Sequence, residues 1–205
     1  MTATELIVAN RDPAEGRVTV FAIDRLREAT STAHSRLDEN LRLVDRLGAA
    51  DRRGQLLAGY HLLHREIEAK IAPLLGDIAD LDSSARRRAS LIAESLAILG
   101  QSARADSAAG TDSLTRAEAF GALYVLEGSS LGGRAILKEL KRRGASLRGL
   151  GFLDPYGIDT GRRWRSFLSI LEREVRSSEQ KIDAVKGALS TFAFAELCLC
   201  QESTH

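Results

Sequence analysis

AFGALYVLEGSSLGGRAILKEL, residues 119–140, is the stretch that most clearly marks this chain as helical. Its apolar residues recur every three or four positions, which predicts an amphipathic helix. Four glycines lie inside this pattern: Gly121, Gly128, Gly132 and Gly133. Each destabilises a helix interior by roughly 1 kcal/mol relative to alanine. The sequence therefore indicates that something requires the space that their missing side chains leave.

Three of these glycines share one face of the predicted helix. At about 100° per residue, Gly121, Gly128 and Gly132 fall within about 40° of one another, with Val125 between them. Such a stripe fits a close crossing of two helices. It fits equally a flat, rigid ligand lying on the helix, with the stretch 128–133 kinked or partly unwound around it.

The same spacing continues on both sides of this stretch and predicts an all-α fold. We expect six helices, over about 24–48, 52–75, 84–99, 115–143, 162–177 and 179–201, with loops over 101–113 and 144–161. Gly76 and Gly100 are the expected stops of the second and third helices. Thr115 and Glu118 have the spacing of a capping box, and Ser178 is a candidate cap of the last helix.

Length and composition indicate one globular domain. The 205 residues have a mass of 22.3 kDa, with 44% hydrophobic and 28% charged residues. Residues 1–20 lack a helical period and are expected to form a mobile leader, followed by a single helical domain over 21–205. The 29 lysines and arginines nearly balance the 28 aspartates and glutamates, which argues against a nucleic-acid binder.

Targeting signals and cysteines predict the compartment. No apolar run is long enough to span a bilayer, and the N-terminal stretch lacks the pattern of a secretory signal. Cys198 and Cys200 are two residues apart on a predicted helix and point in different directions, so no disulfide between them is expected. These features predict a cytoplasmic protein with reduced thiols.

His34 lies at the border of the apolar face of the first predicted helix. A lone histidine there is usually a core or boundary residue, yet neutral imidazole is also a common axial ligand of haem iron. Arg27 lies seven residues earlier on nearly the same face, about 10.5 Å away along the helix axis. That distance suits a cation pairing with a carboxylate at the rim of a macrocycle, although a solvated surface charge also explains Arg27.

Two segments resemble helices of the haem oxygenases. LREATSTAHSRLDENL, residues 26–41, is similar to their proximal helix, and GALYVLEGSSLGGRAIL, residues 121–137, is similar to their glycine-rich distal helix. The likeness is strongest to bacterial members found beside bacteriophytochromes, and it extends from about residue 21 to the C-terminus. It implies the multi-helical haem oxygenase-like fold. It also implies O₂-dependent cleavage of haem, which is both substrate and cofactor, to biliverdin, CO and iron.

The resemblance also implies roles for particular residues. His34 falls where the family has its axial iron ligand, and Gly128, Gly132 and Gly133 fall where the distal glycines admit oxygen to the opposite haem face. A further segment, WRSFLSIL at residues 164–171, resembles the helix that holds the haem propionates. It implies Arg165 as a propionate clamp beside Arg27, with Arg162 as a weaker candidate and Tyr124 either at the pocket rim or in simple packing.

Ser129 marks a departure from the animal members of the family. Those members carry an aspartate directly after the first distal glycine, where it orders the waters that deliver protons to bound oxygen. A serine hydroxyl donates and accepts hydrogen bonds but holds no charge. The water network around Ser129 is therefore expected to be organised differently, and the meso carbon that is attacked is left open.

The resemblance implies partners as well. No flavin or nucleotide motif is present, so the electrons are expected from an external ferredoxin or reductase. The basic run 86–88 and the cluster of Lys138, Lys141, Arg142 and Arg143 are the expected docking surface, although positive charge at a helix C-terminus is also favourable by itself. A bacteriophytochrome is a candidate acceptor of the biliverdin.

Other kinds of function remain open at this point. His61, His64 and Glu68 share one face of the second predicted helix, where a metal cluster is geometrically possible but a boundary stripe is the simpler interpretation. The chain could also bind haem as a carrier or sensor without turnover. A non-haem enzyme on the same fold, either a thiaminase-like hydrolase or a metal-dependent oxidase, is a further alternative.

Overall fold

The computed structural model describes residues 21–103 and 113–200. These residues form seven α-helices: α1 (Ala22–Leu41), α2 (Leu43–Gly48), α3 (Ala50–Leu75), α4 (Ala89–Ile98), α5 (Arg116–Arg142), α6 (Thr160–Glu174) and α7 (Ser178–Leu199). Three short 3₁₀ turns, Ser84–Arg86, Gly151–Leu153 and Gly157–Asp159, connect them, and the described residues contain no strand. The prediction of an all-α fold is confirmed. The expected leader and most of the loop predicted over 101–113 lie outside the described residues.

The first predicted helix was too long, because the chain breaks at Arg42. This residue has a left-handed backbone (φ 43°), and its N–H bonds to the Asp38 carbonyl. Leu41 and Leu47, on the two sides of the break, are both buried. In one continuous helix they would point about 120° apart, so the break allows both side chains to enter the core.

The helix predicted over 84–99 also began too early. A 3₁₀ turn occupies Ser84–Arg86, Arg87 is extended, and α4 starts only at Ala89. The carboxylate of Glu68, from α3, accepts the backbone N–H groups of Arg88 at 2.8 Å and Ala89 at 3.2 Å. A distant side chain therefore fixes where α4 begins, because it satisfies N–H groups that a helix start leaves without partners.

The helix caps were predicted with mixed success. The capping box of Thr115 and Glu118 at the start of α5 is confirmed. The cap of α7 is Ser177, not Ser178, because Ser177 forms a capping box with Gln180. The next-to-last helix runs over Thr160–Glu174 rather than 162–177, so it both begins and ends earlier than expected.

Two of the predicted stops are glycines that end their helices in different ways. Gly76 follows α3 with an ordinary right-handed backbone, whereas Gly100, just after α4, has a φ of +69°. Only the second position uses the conformational freedom of glycine.

α7 is the central helix of the packing and lies against α1, α3 and α5. Its crossing with α5 is close because each helix contributes a glycine to it. A side chain at Gly121 would overlap the backbone of Ala184, and one at Gly187 would overlap the backbone of Glu118. The close helix crossing considered for the glycine stripe is thus present at Gly121.

α1 is held in place by contacts at both of its ends. Near its start, Glu172 of α6 accepts the N–H groups of Ala22 and Ile23 at 3.0 and 2.8 Å. Further along, Arg36 makes a two-pronged ion pair with Glu196 of α7, at 2.6 and 3.0 Å. These contacts fix the helix that carries His34.

Among the described residues, Cys198 and Cys200 form no disulfide. Among the described helices, none is long and apolar enough to cross a membrane.

Candidate functional site

Two glycines of α5, Gly128 and Gly132, have room for a side chain without a clash. No atom lies within 4 Å of a side chain built at Gly132, and the nearest atom to one at Gly128 is in the Trp164 ring, at 3.8 Å. Val125 and Ser129 lie on the same side of the helix, and we call these four residues the open face of α5. No close helix crossing requires a glycine at either position, so packing does not explain these two helix-destabilising residues.

α5 continues through this region without interruption. The stretch 128–133 is helical throughout, so the partial unwinding considered above is absent. Gly133 does not belong to the open face, because a side chain there would overlap the backbone of Leu153 in the following 3₁₀ turn. Its place in the structure is a close backbone contact.

His34 lies on α1 with 64% of its side chain exposed. Its Nδ1 is 3.2 Å from the Asp38 carboxylate, one helical turn later, and its ring meets Phe192 of α7 edge to face at 6.0 Å. A histidine whose Nδ1 is held by a carboxylate offers Nε2 to a metal ion, and the carboxylate orients the ring. The imidazole is therefore an exposed side chain and not a core residue.

The open face and His34 lie on helices that share their neighbours. α1 and α5 both pack against α6 and α7, but they are not a major packing pair themselves. The hydroxyls of Tyr124 and buried Thr30 are hydrogen-bonded and link the two helices. Burial raises the pKa of the Tyr124 hydroxyl, although Thr30 and nearby Arg27 act in the opposite direction. We infer a cleft between α1 and α5, because the two helices share neighbours but are not a major packing pair.

The three arginines predicted to bind carboxylates differ in their surroundings. Arg27 and Arg165 are exposed, and neither makes an ion pair with any described residue. Arg162 is 3.1 Å from the carboxylate of Asp159 and is thus already paired. Trp164, on the same helix as Arg165, packs against Tyr124 at 5.6 Å between ring centroids. This contact brings α6 to the edge of the cleft.

The basic run 86–88 is not the exposed docking surface that the sequence predicted. Arg86 and Arg88 are 5% and 4% exposed, and only Arg87 reaches solvent. Both buried side chains turn inward toward α5. Arg88 Nη2 donates to the Leu126 carbonyl and, at 3.2 Å, to Ser129 Oγ, which itself donates to the Leu126 carbonyl at 2.7 Å. Arg88 is therefore a site residue that the sequence reasoning missed.

A buried ion pair lies behind the open face, on the opposite side of α5. Arg86 Nη1 donates to Glu127 at 2.5 Å, and the Tyr156 hydroxyl donates to the other oxygen of Glu127 at 2.7 Å. Burial, reinforced by the Glu127 carboxylate, raises the pKa of Tyr156. The only sequence signal for this group is a glutamate inside an apolar helical run.

His61, His64 and Glu68 do not form a metal site. No group of three or more histidine, cysteine, aspartate or glutamate side chains in the described ranges could hold a metal ion. His64 Nδ1 is instead 2.8 Å from Glu68. Burial, with the nearby Arg88 charge, lowers the pKa of His64 to about 4. Burial alone would raise the pKa of Glu68, but the hydrogen bonds from His64, Arg88 and Ala89 hold it below its usual value.

Two pockets, both partly open to solvent, lie outside this inferred cleft. The larger, of about 240 Å³, lies between α3, α5 and α7 and is lined by residues such as Lys70, Glu118 and Ser190. The smaller, of about 20 Å³, adjoins Glu68 and Leu126. Neither pocket is lined by His34 or by the open face.

Comparisons with known proteins agree on one family. The family model described as "Heme oxygenase" matches residues 21–199. A protein named "Heme oxygenase" from Xanthomonas campestris pv. campestris is 33% identical over 160 residues, covering 75% of this chain and 92% of that protein.

Solved structures show the same fold. The heme oxygenase from Neisseria meningitidis, in its NO- and CO-bound crystal structures, superposes with a TM-score of 0.76 at 23% identity, over 88% of this chain and 90% of that one. The heme oxygenase from Leptospira interrogans gives a TM-score of 0.70 at 14% identity, over 88% and 99%. At these identities the likeness establishes the architecture.

Proposed function

The chain belongs to the haem oxygenase family, and on that premise we propose that haem lies in the cleft between α1 and the open face of α5. The activity is that of a haem-degrading oxidoreductase, which cleaves haem to biliverdin, CO and iron with O₂ and external electrons. The observation that carries the placement is that Gly132 faces open space and that Gly128 has no backbone contact within 4 Å that requires a glycine. The glycines have a cost in helix stability that no packing contact explains.

The residues around the cleft fit a haem. His34 offers Nε2 toward the metal while Asp38 engages Nδ1. Gly128 and Gly132 leave a flat surface that a single methyl group at either position would begin to fill. Haem, when bound, supplies the iron at which O₂ is activated and the porphyrin ring that is opened. A histidine on one side and a surface without side chains on the other match these needs.

On the oxygen side, this chain's residues provide space and hydrogen bonds. The missing side chains at Gly128 and Gly132 leave room for O₂ between α5 and the ring. Ser129 Oγ lies on the same face and is held by Arg88 and the Leu126 carbonyl. Its remaining lone pair can accept a hydrogen bond from water. We assign Gly133 to packing against Leu153, which fixes the helix that carries this face.

At the haem edge, Arg27 and Arg165 are the proposed partners of the propionates. Each is an exposed guanidinium without a carboxylate partner among the described residues. Arg162 could take this role only by leaving Asp159. Tyr124 uses its hydroxyl to bond Thr30, and its proposed role is to hold α1 and α5 together at the rim of the cleft.

The electrons come from an external donor, a ferredoxin or a reductase, for which we propose the exposed C-terminal end of α5. Lys138 and Lys141 are exposed there and make no ion pair with a described residue. Arg142 and Arg143 are exposed as well, but both pair with Glu139. A cytoplasmic location and delivery of biliverdin to a bacteriophytochrome remain predictions.

A haemin titration of the apo-protein, followed in the Soret region, tests the placement. We expect saturable one-to-one binding with the spectrum of a histidine-ligated haem. His34→Ala should lose that spectrum, because it removes the proposed ligand. Ser35→Ala, which changes the exposed neighbour on α1, should behave as the wild type.

Adding a reductant and O₂ to the complex then tests the reaction. The Soret band should disappear and biliverdin should be released, whereas a carrier or sensor would keep its haem. Failure of the wild type to bind haem, or an unchanged spectrum in His34→Ala, would contradict the proposed site.

A further inference from the structure

Arg88 is a buried cation without an anionic partner. It is 4% exposed, and no carboxylate of the described residues forms an ion pair with its guanidinium. Its Nη2 serves two neutral oxygens, the Leu126 carbonyl and Ser129 Oγ, and its Nε–H is buried without any hydrogen-bond partner. Burying a charge and a donor in this way is costly, which indicates a function beyond packing.

Arg86, two residues earlier, shows what an ordinary buried arginine looks like in the same segment. Its guanidinium is neutralised by Glu127, which also accepts the Tyr156 hydroxyl, and its Nε donates to the Leu81 carbonyl. Arg86 therefore holds the segment before α4 against α5 through its ion pair with Glu127. The charge of Arg88 is not needed for that purpose.

The backbone around Arg88 is fixed by separate contacts. Glu68 accepts the N–H of Arg88 at 2.8 Å and that of Ala89 at 3.2 Å, and the same carboxylate is held by His64. These bonds hold the main chain, so the guanidinium reaches α5 from a rigid base. A rigid base is what a group needs if it is to orient another side chain precisely.

Ser129 connects Arg88 to the open face of α5. Its hydroxyl proton goes to the Leu126 carbonyl, and one of its lone pairs accepts from Arg88. The hydroxyl is thus locked in one orientation, with its second lone pair left for the cleft. The positive charge of Arg88 is itself buried and lies 3.2 Å from this hydroxyl.

We propose that Arg88 is a positioning residue for the haem reaction, which orients the Ser129 hydroxyl and supplies positive charge behind the oxygen side of the cleft. This inference rests on the proposed function. Fixed donors and charges of this kind order water and stabilise negative charge that develops during a reaction. Here a serine backed by a cation organises the oxygen side without a carboxylate on the open face.

The C–O stretching frequency of the ferrous haem–CO complex reports this field directly, because positive charge near the bound CO lowers it. We expect Arg88→Gln and Ser129→Ala both to raise the frequency, and turnover to fall about tenfold or more. Arg88→Lys, which keeps the charge, should retain much of the wild-type frequency. Arg87→Gln changes the exposed neighbour and should match the wild type.

The outcomes separate this inference from the proposed function. If the wild type binds no haem, the proposed function fails first. If haem binds with its histidine-ligated spectrum but Arg88→Gln leaves the C–O frequency at the value of Arg87→Gln, the inference is overturned. If Arg88→Gln does not fold, Ser129→Ala provides the test, because the Ser129 side chain is exposed and its loss should not disturb folding. An unchanged C–O frequency and turnover in Ser129→Ala would overturn the inference as well.

Discussion

Gly121 and Gly132 are two glycines on the same side of α5, yet one is tightly packed and the other faces open space. A methyl group at Gly121 would overlap the backbone of Ala184, whereas one at Gly132 would meet nothing within 4 Å. The first glycine permits a helix crossing, and the second leaves a surface open. Of the two explanations that the sequence left undecided, the close helix crossing is confirmed at Gly121, and the flat ligand stays a prediction for Gly132.

This difference predicts opposite effects of alanine on the stability of the apo-protein. Gly132→Ala should raise the free energy of unfolding by up to about 1 kcal/mol, because alanine favours the helix and the methyl group has room. Gly121→Ala should lower it by about 1–3 kcal/mol or more, because α5 and α7 must separate. Urea unfolding of the two variants measures both values.

The same pair separates stability from function. Gly132→Ala should slow haem turnover although it stabilises the fold, because its methyl group enters the proposed oxygen side of the cleft. If Gly132→Ala destabilised the apo-protein as Gly121→Ala does, the face around Gly132 would not be open.

Burial of charged residues was the main feature that residue-level reasoning could not foresee. The run at 86–88 looked like a solvated basic surface, and two of its three arginines are buried. Their partners are Glu127, the Leu126 carbonyl and Ser129, which lie about 40 residues away in the sequence. No local pattern contains that information.

Among the elements, the start of α5 was predicted at the correct residue, and the cap of α7 was predicted one residue too late. Thr115 and Glu118 form the expected capping box, because a capping box is complete within four residues. The predicted start of α4 was wrong because the actual start is set by Glu68, which belongs to another helix. The break at Arg42 was missed because no local turn sequence marks it; it allows Leu41 and Leu47 both to be buried.

The C-terminal end of α5 is the proposed docking surface for the electron donor, and a charge reversal there tests it. Lys138→Glu/Lys141→Glu should slow turnover with a protein donor about tenfold at low salt, because it reverses the charge that would attract an acidic partner. The defect should shrink as salt rises, since screening weakens the attraction in both proteins. Haem affinity, measured by titration, should not change.

Arg116→Glu is the matched control for this experiment. It reverses one charge on the same helix, about 33 Å away along the axis, and should leave donor-dependent turnover near that of the wild type. Equal rates for the double variant and the wild type at low salt would exclude this end of α5 as the docking surface.

At the scale of the whole molecule, one buried polar network joins three helices. His64 and Glu68 belong to α3, Arg88 leads into α4, and Ser129 belongs to α5. The network depends on a neutral His64 beside an ionised Glu68. Folding therefore sets the protonation state of His64, which makes global stability depend on pH.

The sign of that dependence follows from the lowered pKa. His64 takes up a proton near pH 6.5 when unfolded but only near pH 4 when folded, because burial disfavours the charged ring. Below pH 6.5 the unfolded chain binds more protons, so the free energy of unfolding should fall between pH 6.5 and 4, by about 3 kcal/mol in all. Glu68, whose pKa is also lowered, adds a loss in the same direction at still lower pH.

His64→Gln tests this account, because glutamine can still donate to Glu68 and does not titrate. Urea unfolding of the apo-protein across this pH range should give a clearly flatter dependence for His64→Gln than for the wild type. His34→Gln, which changes an exposed histidine, should show the same pH dependence of the free energy of unfolding as the wild type. If the free energy of unfolding of His64→Gln followed the wild-type curve instead, protonation of His64 would not be the cause of the loss of stability. Another titrating group would then have to explain why the protein is less stable at low pH.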